Sequence, residues 1–247
     1  MSEGRDFLIL ATSDVHSPVY LKVWSRALEE ACSKSSRILL FIAGDLVNRG
    51  KAHAASLVED CIRRCKAEIK VVGVFGNDDF EEVRDEIAAN TPSIEWLDDE
   101  IKMLEWNGAL VRVYGTTGVL DELTSWQSKN MPWLKKKFEA RLKALEEFSR
   151  IEKEPGECRV LLSHYPPTYK TLVGEPRFAW PQMGSQRAEM IIERSRTIDL
   201  VIHGHAHKSK VLETQVGGAR VLNVAFPAVN GLVEVSLKAR RRLLEYM

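Results

Sequence analysis

Six short apolar segments recur along the chain, and each is rich in β-branched residues. They cover 7–12, 37–43, 69–75, 109–114, 158–162 and 198–202, and each is bounded by glycine, aspartate, serine or charged residues. Runs of this length and composition are typical of buried strands. The sequence therefore predicts a fold organised around β-sheet.

Two segments of helical period, 19–34 and 51–66, separate the first three predicted strands. This alternation predicts a β-α-β-α-β arrangement with a parallel sheet. From residue 209 onward, three strand-like segments are joined by a Gly-Gly pair and by a proline-containing loop, which predicts an antiparallel hairpin or meander. Apolar residues spaced by three and four along 134–153 predict an amphipathic helix packed on the core.

Two sheets of different character, with helices on their outer faces, predict an α/β fold. The chain has 247 residues, of which 45% are hydrophobic, and this length allows one large domain or two small ones. The sequence contains no evident linker and no internal repeat. We therefore expect a single layered domain over 1–247.

The charge balance provides no global attraction to polyanions. The 35 basic and 35 acidic residues give a net charge of +0, so a bound anion must be held by a local site. Two basic runs, 135–137 and 238–242, do not alternate with aromatic residues as a nucleic-acid platform does, which favours solvated charged faces. Nucleic acid is a disfavoured partner that the sequence does not exclude.

The N-terminal apolar run has no basic region before it and no cleavage pattern after it, and no stretch reaches the roughly 18 apolar residues of a membrane span. We therefore expect a cytoplasmic protein with no membrane partner. Its cysteines, Cys32, Cys61, Cys65 and Cys158, are expected to be reduced thiols. Cys61 and Cys65 share a face of the second predicted helix, but no second cysteine pair or histidine cluster completes a zinc site, so buried thiols are favoured.

Carboxylates, amides, imidazoles and one guanidinium group follow the predicted strands. They are Asp14 and His16 after the first strand, Asp45, Asn48 and Arg49 after the second, Asn77 and Asp78 after the third, His164 after the fifth, and His205 and His207 after the sixth. Ligand sites of open α/β sheets form at the carboxyl ends of the strands. Each group alone favours a structural role, but the ordered set indicates a metal site.

The ligand types narrow the choice of metal. Carboxylate, amide and imidazole ligands without thiolate suit Mn, Fe, Co or Zn, whereas the histidine content argues against Mg and Ca. Gly44, Gly76 and Gly204 stand next to these residues and would let the backbone turn sharply and approach the site closely.

The series D-x-H, GD, GN, H and GHxH, from Asp14 to His207, resembles the calcineurin-like metallophosphoesterase family. The resemblance implies a four-layer αββα sandwich, in which two packed β-sheets are flanked by helices. It also implies two metal ions bridged by Asp45. One ion would be held by Asp14, His16, Asp45 and His207, and the other by Asp45, Asn77, His164 and His205.

The activity implied by the resemblance is that of a dinuclear metal-dependent phosphoesterase. Two divalent cations lower the pKa of a shared water, so that hydroxide attacks phosphorus directly, without a covalent intermediate. The expected substrate is a small or medium phosphate ester, either a phosphodiester or an activated phosphomonoester.

Two positions depart from the pattern of the family. Asp78 stands where many members have a histidine that assists the leaving group, and Asn48 stands where the protein serine/threonine phosphatases have an aspartate. The resemblance implies that these two candidate catalytic residues pair, with the Asn48 amide donating to the Asp78 carboxylate. It also implies that Arg49, together with Asn77, binds the substrate phosphate, although a surface arginine capping the next helix is an open alternative.

Two other functions stay open at this stage. A serine/threonine-type protein phosphatase is the alternative within enzymes, and a non-catalytic scaffold of the same fold is the alternative outside them. A chain that is only a scaffold would be expected to lack some of the metal-binding residues. Segments 117–133 and 168–186 are rich in Trp, Tyr, Pro and Gly, and would form either the walls of the site or a contact between copies in a homo-oligomer.

Overall fold

The computed structural model describes residues 5–106 and 108–237, and the strands of these residues form two sheets. The strands are β1 (Arg5–Thr12), β2 (Ser35–Ala43), β3 (Glu68–Val74), β4 (Ile94–Leu97), β5 (Glu100–Trp106), β6 (Ala109–Thr116), β7 (Glu157–Ser163), β8 (Leu200–His203), β9 (Glu213–Val216), β10 (Ala219–Asn223) and β11 (Val233–Glu234). The helices are α1 (Leu21–Lys34), α2 (Ala55–Arg63), α3 (Arg84–Asn90), α4 (Ser125–Asn130), α5 (Leu134–Arg150), α6 (Gln186–Arg194) and α7 (Phe226–Val229).

Both sheets are mainly parallel, with one antiparallel edge strand in the first sheet and two in the second. The first sheet has the order β11-β1-β2-β3-β4, in which β1 to β4 are parallel and β11 is antiparallel to β1. The second has the order β5-β6-β7-β8-β10-β9, in which β5 and β9 are antiparallel to their neighbours. The parallel strands of each sheet therefore deliver their carboxyl ends to one edge.

Three apolar clusters separate the layers. Alternate residues of the central strands, such as Phe41 and Val160, pack between the two sheets. Trp24 of α1 and Ile62 of α2 pack on the outer face of the first sheet, and Phe148 of α5 packs on the outer face of the second. This arrangement confirms the α/β fold and the expected four-layer αββα sandwich.

All six predicted strands are present, but β4 and β5 were not predicted. Strand β4 has only four residues, and β5 carries charged side chains along an exposed edge, so neither has the apolar signature of a buried strand. The antiparallel pair of β9 and β10 confirms the hairpin. The third C-terminal segment crosses to the first sheet as β11, so no three-stranded meander forms.

The amphipathic helix expected over 134–153 is α5, which ends at Arg150. At its basic start, Lys137 pairs with Glu81 at 2.7 Å, and Lys135 and Lys136 are exposed, as a solvated face requires. The second basic run, 238–242, lies outside the described residues. None of the helices within 5–106 and 108–237 is long and apolar enough to span a bilayer.

The expectation of four reduced cysteines was wrong for two of them. Cys32, near the end of α1, forms a disulfide with Cys65, with 5.5 Å between their Cα atoms, whereas Cys61 and Cys158 are free and buried. Helix α2 ends at Arg63, so Cys65 lies in the turn beyond it and does not continue the helix face of Cys61. The turn brings Cys65 next to the neighbouring helix, which sequence spacing did not reveal.

We expect reduction of the Cys32–Cys65 disulfide to lower the free energy of unfolding by about 2–4 kcal/mol, because the crosslink restricts the unfolded chain. Urea unfolding with and without a reductant measures the effect. Cys32→Ser should show the lower stability in both conditions and no further response to reductant. Identical wild-type curves in the two conditions would contradict the prediction.

Candidate metal centre

The predicted ligands converge where β1, β2, β3, β7 and β8 end. Three sets of side chains each bring their ligand atoms within 4.8 Å of one another, and the sets share members. The sets are Asp14, His16 and His207; Asp45, His164 and His205; and His16, Asp45 and Asp78. The first two sets agree with the two half-sites that the sequence resemblance implies.

The loops that follow these strands form a rim around the site, and their backbone adopts conformations that residues other than glycine usually avoid. The φ angles of Asp14, His16, Asp45, Arg49 and His205 are 57°, 41°, 51°, 51° and 68°, in the left-handed region that favours glycine. Such conformations cost about 1–3 kcal/mol each and persist where the surrounding structure fixes them. Their concentration at the rim shows that these loops are fixed by tertiary contacts, against local preference.

Glycines allow the loops to approach one another. A Cβ atom on Gly76 would lie 2.1 Å from Oδ1 of Asp45, and one on Gly204 would lie 2.5 Å from Oδ2 of Asp14. Gly44 has a φ of +86°, and its Cβ would meet Nδ1 of His164 at 2.7 Å. Any larger residue would therefore displace a carboxylate or an imidazole of the site.

Asp79 ties two of the loops together. Its buried carboxylate accepts hydrogen bonds from the backbone N–H groups of Gly76 at 2.9 Å, Leu46 at 3.2 Å and Val47 at 3.0 Å. The carboxylate thus joins the β2 loop to the β3 loop. No role was predicted for Asp79 from the sequence, although an aspartate directly after Asp78 could have indicated one.

The hydrogen bonds of His164 leave a lone pair facing the site. Nδ1 lies 2.9 Å from the carbonyl oxygen of Ala43, which only accepts, so Nδ1 carries the proton. Burial lowers the pKa of His164, which keeps the ring neutral and leaves Nε2 as an acceptor. Nε2 faces Oδ1 of Asn77 at 3.0 Å, so two acceptors meet with no proton between them, and Oδ2 of Asp45 lies 3.5 Å from the same nitrogen.

His16 lacks the hydrogen bonds that a buried imidazole normally makes. Both of its ring nitrogens are buried without a hydrogen-bond partner among the described residues. Nε2 lies 3.8 Å from Oδ1 of Asp14 and 3.7 Å from Oδ2 of Asp45. A ring nitrogen and two carboxylates at these separations leave room for a cation between them.

The two halves of the site differ in their histidine contacts. His207 Nε2 lies 2.8 Å from Oδ1 of Asp14, and the ring of His207 meets that of His16 edge-on at 5.3 Å. His205 meets His164 edge-on at 5.0 Å, and burial together with the neighbouring His164 lowers the pKa of His205 to about 3. The rings of His164 and His205 are therefore neutral at physiological pH, the form in which an imidazole can bind a metal.

Negative charge accumulates at Asp45. Burial and the neighbouring carboxylates of Asp14, Asp79 and Asp78 raise the pKa of Asp45 well above its usual value. For Asp14, burial acts in the same direction, but the hydrogen bond with His207 and the nearby His164 outweigh it and lower the pKa. Bound cations would supply the missing positive charge, so the donor set fits divalent metal.

The expected pairing of Asn48 with Asp78 does not form. Oδ2 of Asp78 accepts from the backbone N–H of Arg49 at 3.1 Å, and Oδ1 accepts from the Asn77 amide at 3.2 Å. Burial acts to raise the pKa of Asp78, but a contact with His16 and the Arg49 N–H outweigh burial and lower the pKa. The Arg49 backbone has thus taken the position expected for the Asn48 amide.

An open cleft of about 470 Å³ lies over these residues. Asn48, Arg49, Asn77 and Asp78 line it from the β2 and β3 loops, and His205, His207 and Lys208 line it from the β8 loop. Segment 168–186 contributes Glu175 and Met183, as a wall of the site would.

No described residue of 117–133 lines the cleft, and Trp126 and Trp133 are 64% and 56% exposed. The alternative of a contact between copies stays a prediction.

The model of the calcineurin-like phosphoesterase family matches residues 7–209. The chain belongs to this family. It is therefore a hydrolase of the metal-dependent phosphoesterase class, as expected from its motifs. No curated protein matches the chain by sequence.

Solved structures with the same fold share little sequence with the chain. Phosphopantetheinyl hydrolase from Mycobacterium tuberculosis is 14% identical, with 96% of this chain and 98% of that chain covered and a TM-score of 0.69. A 5'-nucleotidase precursor from Thermus thermophilus is 13% identical, with 89% and 48% covered and a TM-score of 0.51. NAD nucleotidase from Haemophilus influenzae is 13% identical, with 93% and 49% covered and a TM-score of 0.52. The chain thus spans about half of each nucleotidase.

We expect Asp45→Asn to stabilise the metal-free protein while weakening its response to metal. A carboxyl whose pKa is raised by folding destabilises the fold as pH rises above its usual pKa, so removing its charge should raise the free energy of unfolding at pH 7 in EDTA. Asparagine keeps the Oδ1 acceptor for the N–H of Asp78, which lies 2.7 Å away. Added Mn²⁺ should then stabilise the wild type more than the variant.

Urea unfolding in EDTA and in excess Mn²⁺ measures both effects. Asp79→Asn is the matched control, because its carboxylate accepts three backbone N–H groups and an amide cannot replace both oxygens. It should destabilise the protein in both buffers. A metal-free Asp45→Asn protein less stable than the wild type would contradict the prediction.

Proposed function

We propose that the chain is a dinuclear metal-dependent phosphoesterase that hydrolyses a phosphodiester or an activated phosphomonoester. The observation that carries the proposal is the contact of two acceptors, Nε2 of His164 and Oδ1 of Asn77, close to Asp45 and beside the buried ring of His16, which makes no hydrogen bond within the described residues. Polar groups arranged in this way are costly when buried unless a cation joins them.

In this proposal Asp14, His16, Asp45 and His207 would hold one ion, and Asp45, Asn77, His164 and His205 would hold the other. Mn, Fe, Zn and Co all suit these ligands. When bound, two such cations lower the pKa of a water molecule and neutralise charge that develops on the phosphoryl group.

The described residues around the cleft favour water as the nucleophile over a side chain. They include no serine, threonine or cysteine. Asp45 accepts from the N–H of Asp78 and faces two imidazoles, so its oxygens are occupied. This lining supports direct hydrolysis without a covalent intermediate.

Arg49 and Asn77 are the proposed phosphate-binding residues. The Arg49 side chain is exposed at the cleft and has no ion-pair partner in the described part of the chain. A guanidinium presents parallel donors that match two phosphate oxygens. The Asn77 amide would hold a metal through Oδ1, while its nitrogen stays on the substrate side with Asp78.

Asp78 accepts hydrogen bonds from two donors and has a lowered pKa, which makes it a poor proton donor. We propose that it orients Asn77 and the Arg49 loop. Such a site suits leaving groups that depart without protonation, and hence activated esters and diesters. The scaffold alternative loses support because every ligand position is filled, and no feature of the cleft favours a protein phosphatase.

We expect the rate to depend strongly on the leaving group, because no efficient general acid assists its departure. Mn²⁺-loaded protein would be assayed on a series of aryl and alkyl phosphate esters of decreasing leaving-group acidity, with cyclic nucleotides included. Nitrophenolate esters should react far faster than alkyl esters. A rate independent of the leaving-group pKa would contradict the proposal.

We expect Asp78→Asn to keep most of the activity, because the amide still offers an oxygen to the Arg49 N–H. Asp78→His should raise turnover on alkyl esters by supplying a proton donor, whose contribution is typically about 10²–10⁴-fold. Steady-state rates at constant metal content measure both changes. A loss of a hundredfold or more in Asp78→Asn, limited to poor leaving groups, would show that Asp78 is the general acid.

A further inference from the structure

Segment 168–186 is firmly attached to the loop that carries two of the proposed metal ligands. Lys210 donates its backbone N–H to the carbonyl of Val173 at 2.7 Å, and Thr171 hydrogen-bonds the buried ring of His203 at 2.8 Å. On its other side, Tyr169 donates its hydroxyl to Asp121 at 2.7 Å. The wall that this segment forms is therefore held in one position beside the site.

Glu175 is the acidic residue that this wall brings to the cleft. Its Oε1 accepts the backbone N–H of Lys208 at 2.6 Å, which fixes the carboxylate next to His207. Its Oε2 has no partner among the described residues, and no cationic side chain of the described chain pairs with it. One carboxylate oxygen is thus available to a molecule in the cleft.

The cleft therefore offers different chemistry on its two sides. Two cations reach it, Arg49 from the β2 loop and Lys208 from the β8 loop. Glu175 and the thioether of Met183 reach it from segment 168–186, and the Glu175 carboxylate accepts from the backbone of Lys208, not from its side chain. A phosphate held at the Arg49 side would extend its organic arm toward the other side. There, a carboxylate attracts ammonium and hydroxyl donors and repels additional negative charge.

We propose that Glu175 is a specificity-determining residue that selects phosphodiesters whose organic arm carries an ammonium or hydroxyl donor, and that it disfavours dianionic phosphomonoesters. This inference rests on the proposed phosphoesterase function. Charge interactions of partly exposed groups are weak, and partial enclosure by the cleft strengthens them. The expected discrimination is about three- to tenfold.

The test compares three nitrophenyl esters on Mn²⁺-loaded wild-type and Glu175→Gln proteins. The substrates are p-nitrophenyl phosphorylcholine, with a cationic arm, bis(p-nitrophenyl) phosphate, with a neutral arm, and p-nitrophenyl phosphate, a dianion. Glutamine retains the oxygen that accepts the Lys208 N–H, so the wall stays in place. Glu122→Gln is the matched control, because Glu122 is exposed in the neighbouring segment but does not line the cleft.

We expect Glu175→Gln to raise KM for the cationic diester about three- to tenfold with little change in kcat. KM for the dianion should fall, the neutral diester should change little, and these differences should shrink at high salt. Glu122→Gln should behave as the wild type. An unchanged ratio of kcat/KM values among the three substrates would overturn the role of Glu175. Absence of hydrolysis of all three by the wild type would instead count against the proposed function.

Discussion

The fold brings carboxylates together at the buried Asp45, and the surrounding structure depends on how their charge is balanced. Burial raises the pKa of Asp45, and the carboxylates of Asp14, Asp79 and Asp78 raise it further. Without compensating charge, these carboxylates would repel one another and move apart. Instead, backbone N–H groups, histidine rings and left-handed backbone conformations hold them together, an arrangement that costs stability and is typical of sites built for a ligand.

The architecture explains how the loops can be held so closely. Parallel strands from both sheets end at one edge, so the β1, β2, β3, β7 and β8 loops meet there. The β1 and β2 loops are linked by the N–H of Asp14 to the carbonyl of Gly44, and the β7 and β8 loops by the N–H of Gly204 to the carbonyl of His164. The sandwich thus acts as a rigid frame for ligands that are distant in sequence.

Sequence patterns predicted the frame and the candidate ligands because both follow local rules. Buried strands need apolar runs, and the residues after neighbouring parallel strands lie at one edge, so Asp14 and Asp45 could be placed near each other from sequence alone. Contacts that depend on tertiary position could not be predicted. The Cys32–Cys65 disulfide, the Asp79 network and the use of the Arg49 backbone in place of Asn48 all require the relative positions of loops. Glu175 likewise lies in an irregular segment without a recognisable motif.

If the strand ends bind a pair of divalent ions, as we propose, the pair can be counted. Metal-depleted protein would be equilibrated with Mn²⁺, separated from free metal by gel filtration, and measured by elemental analysis. We expect about two ions per wild-type chain, as in two-metal phosphoesterase sites, and about one in His205→Ala. Saturation of the wild type at one ion, or only trace metal, would show that the chain does not bind a metal pair.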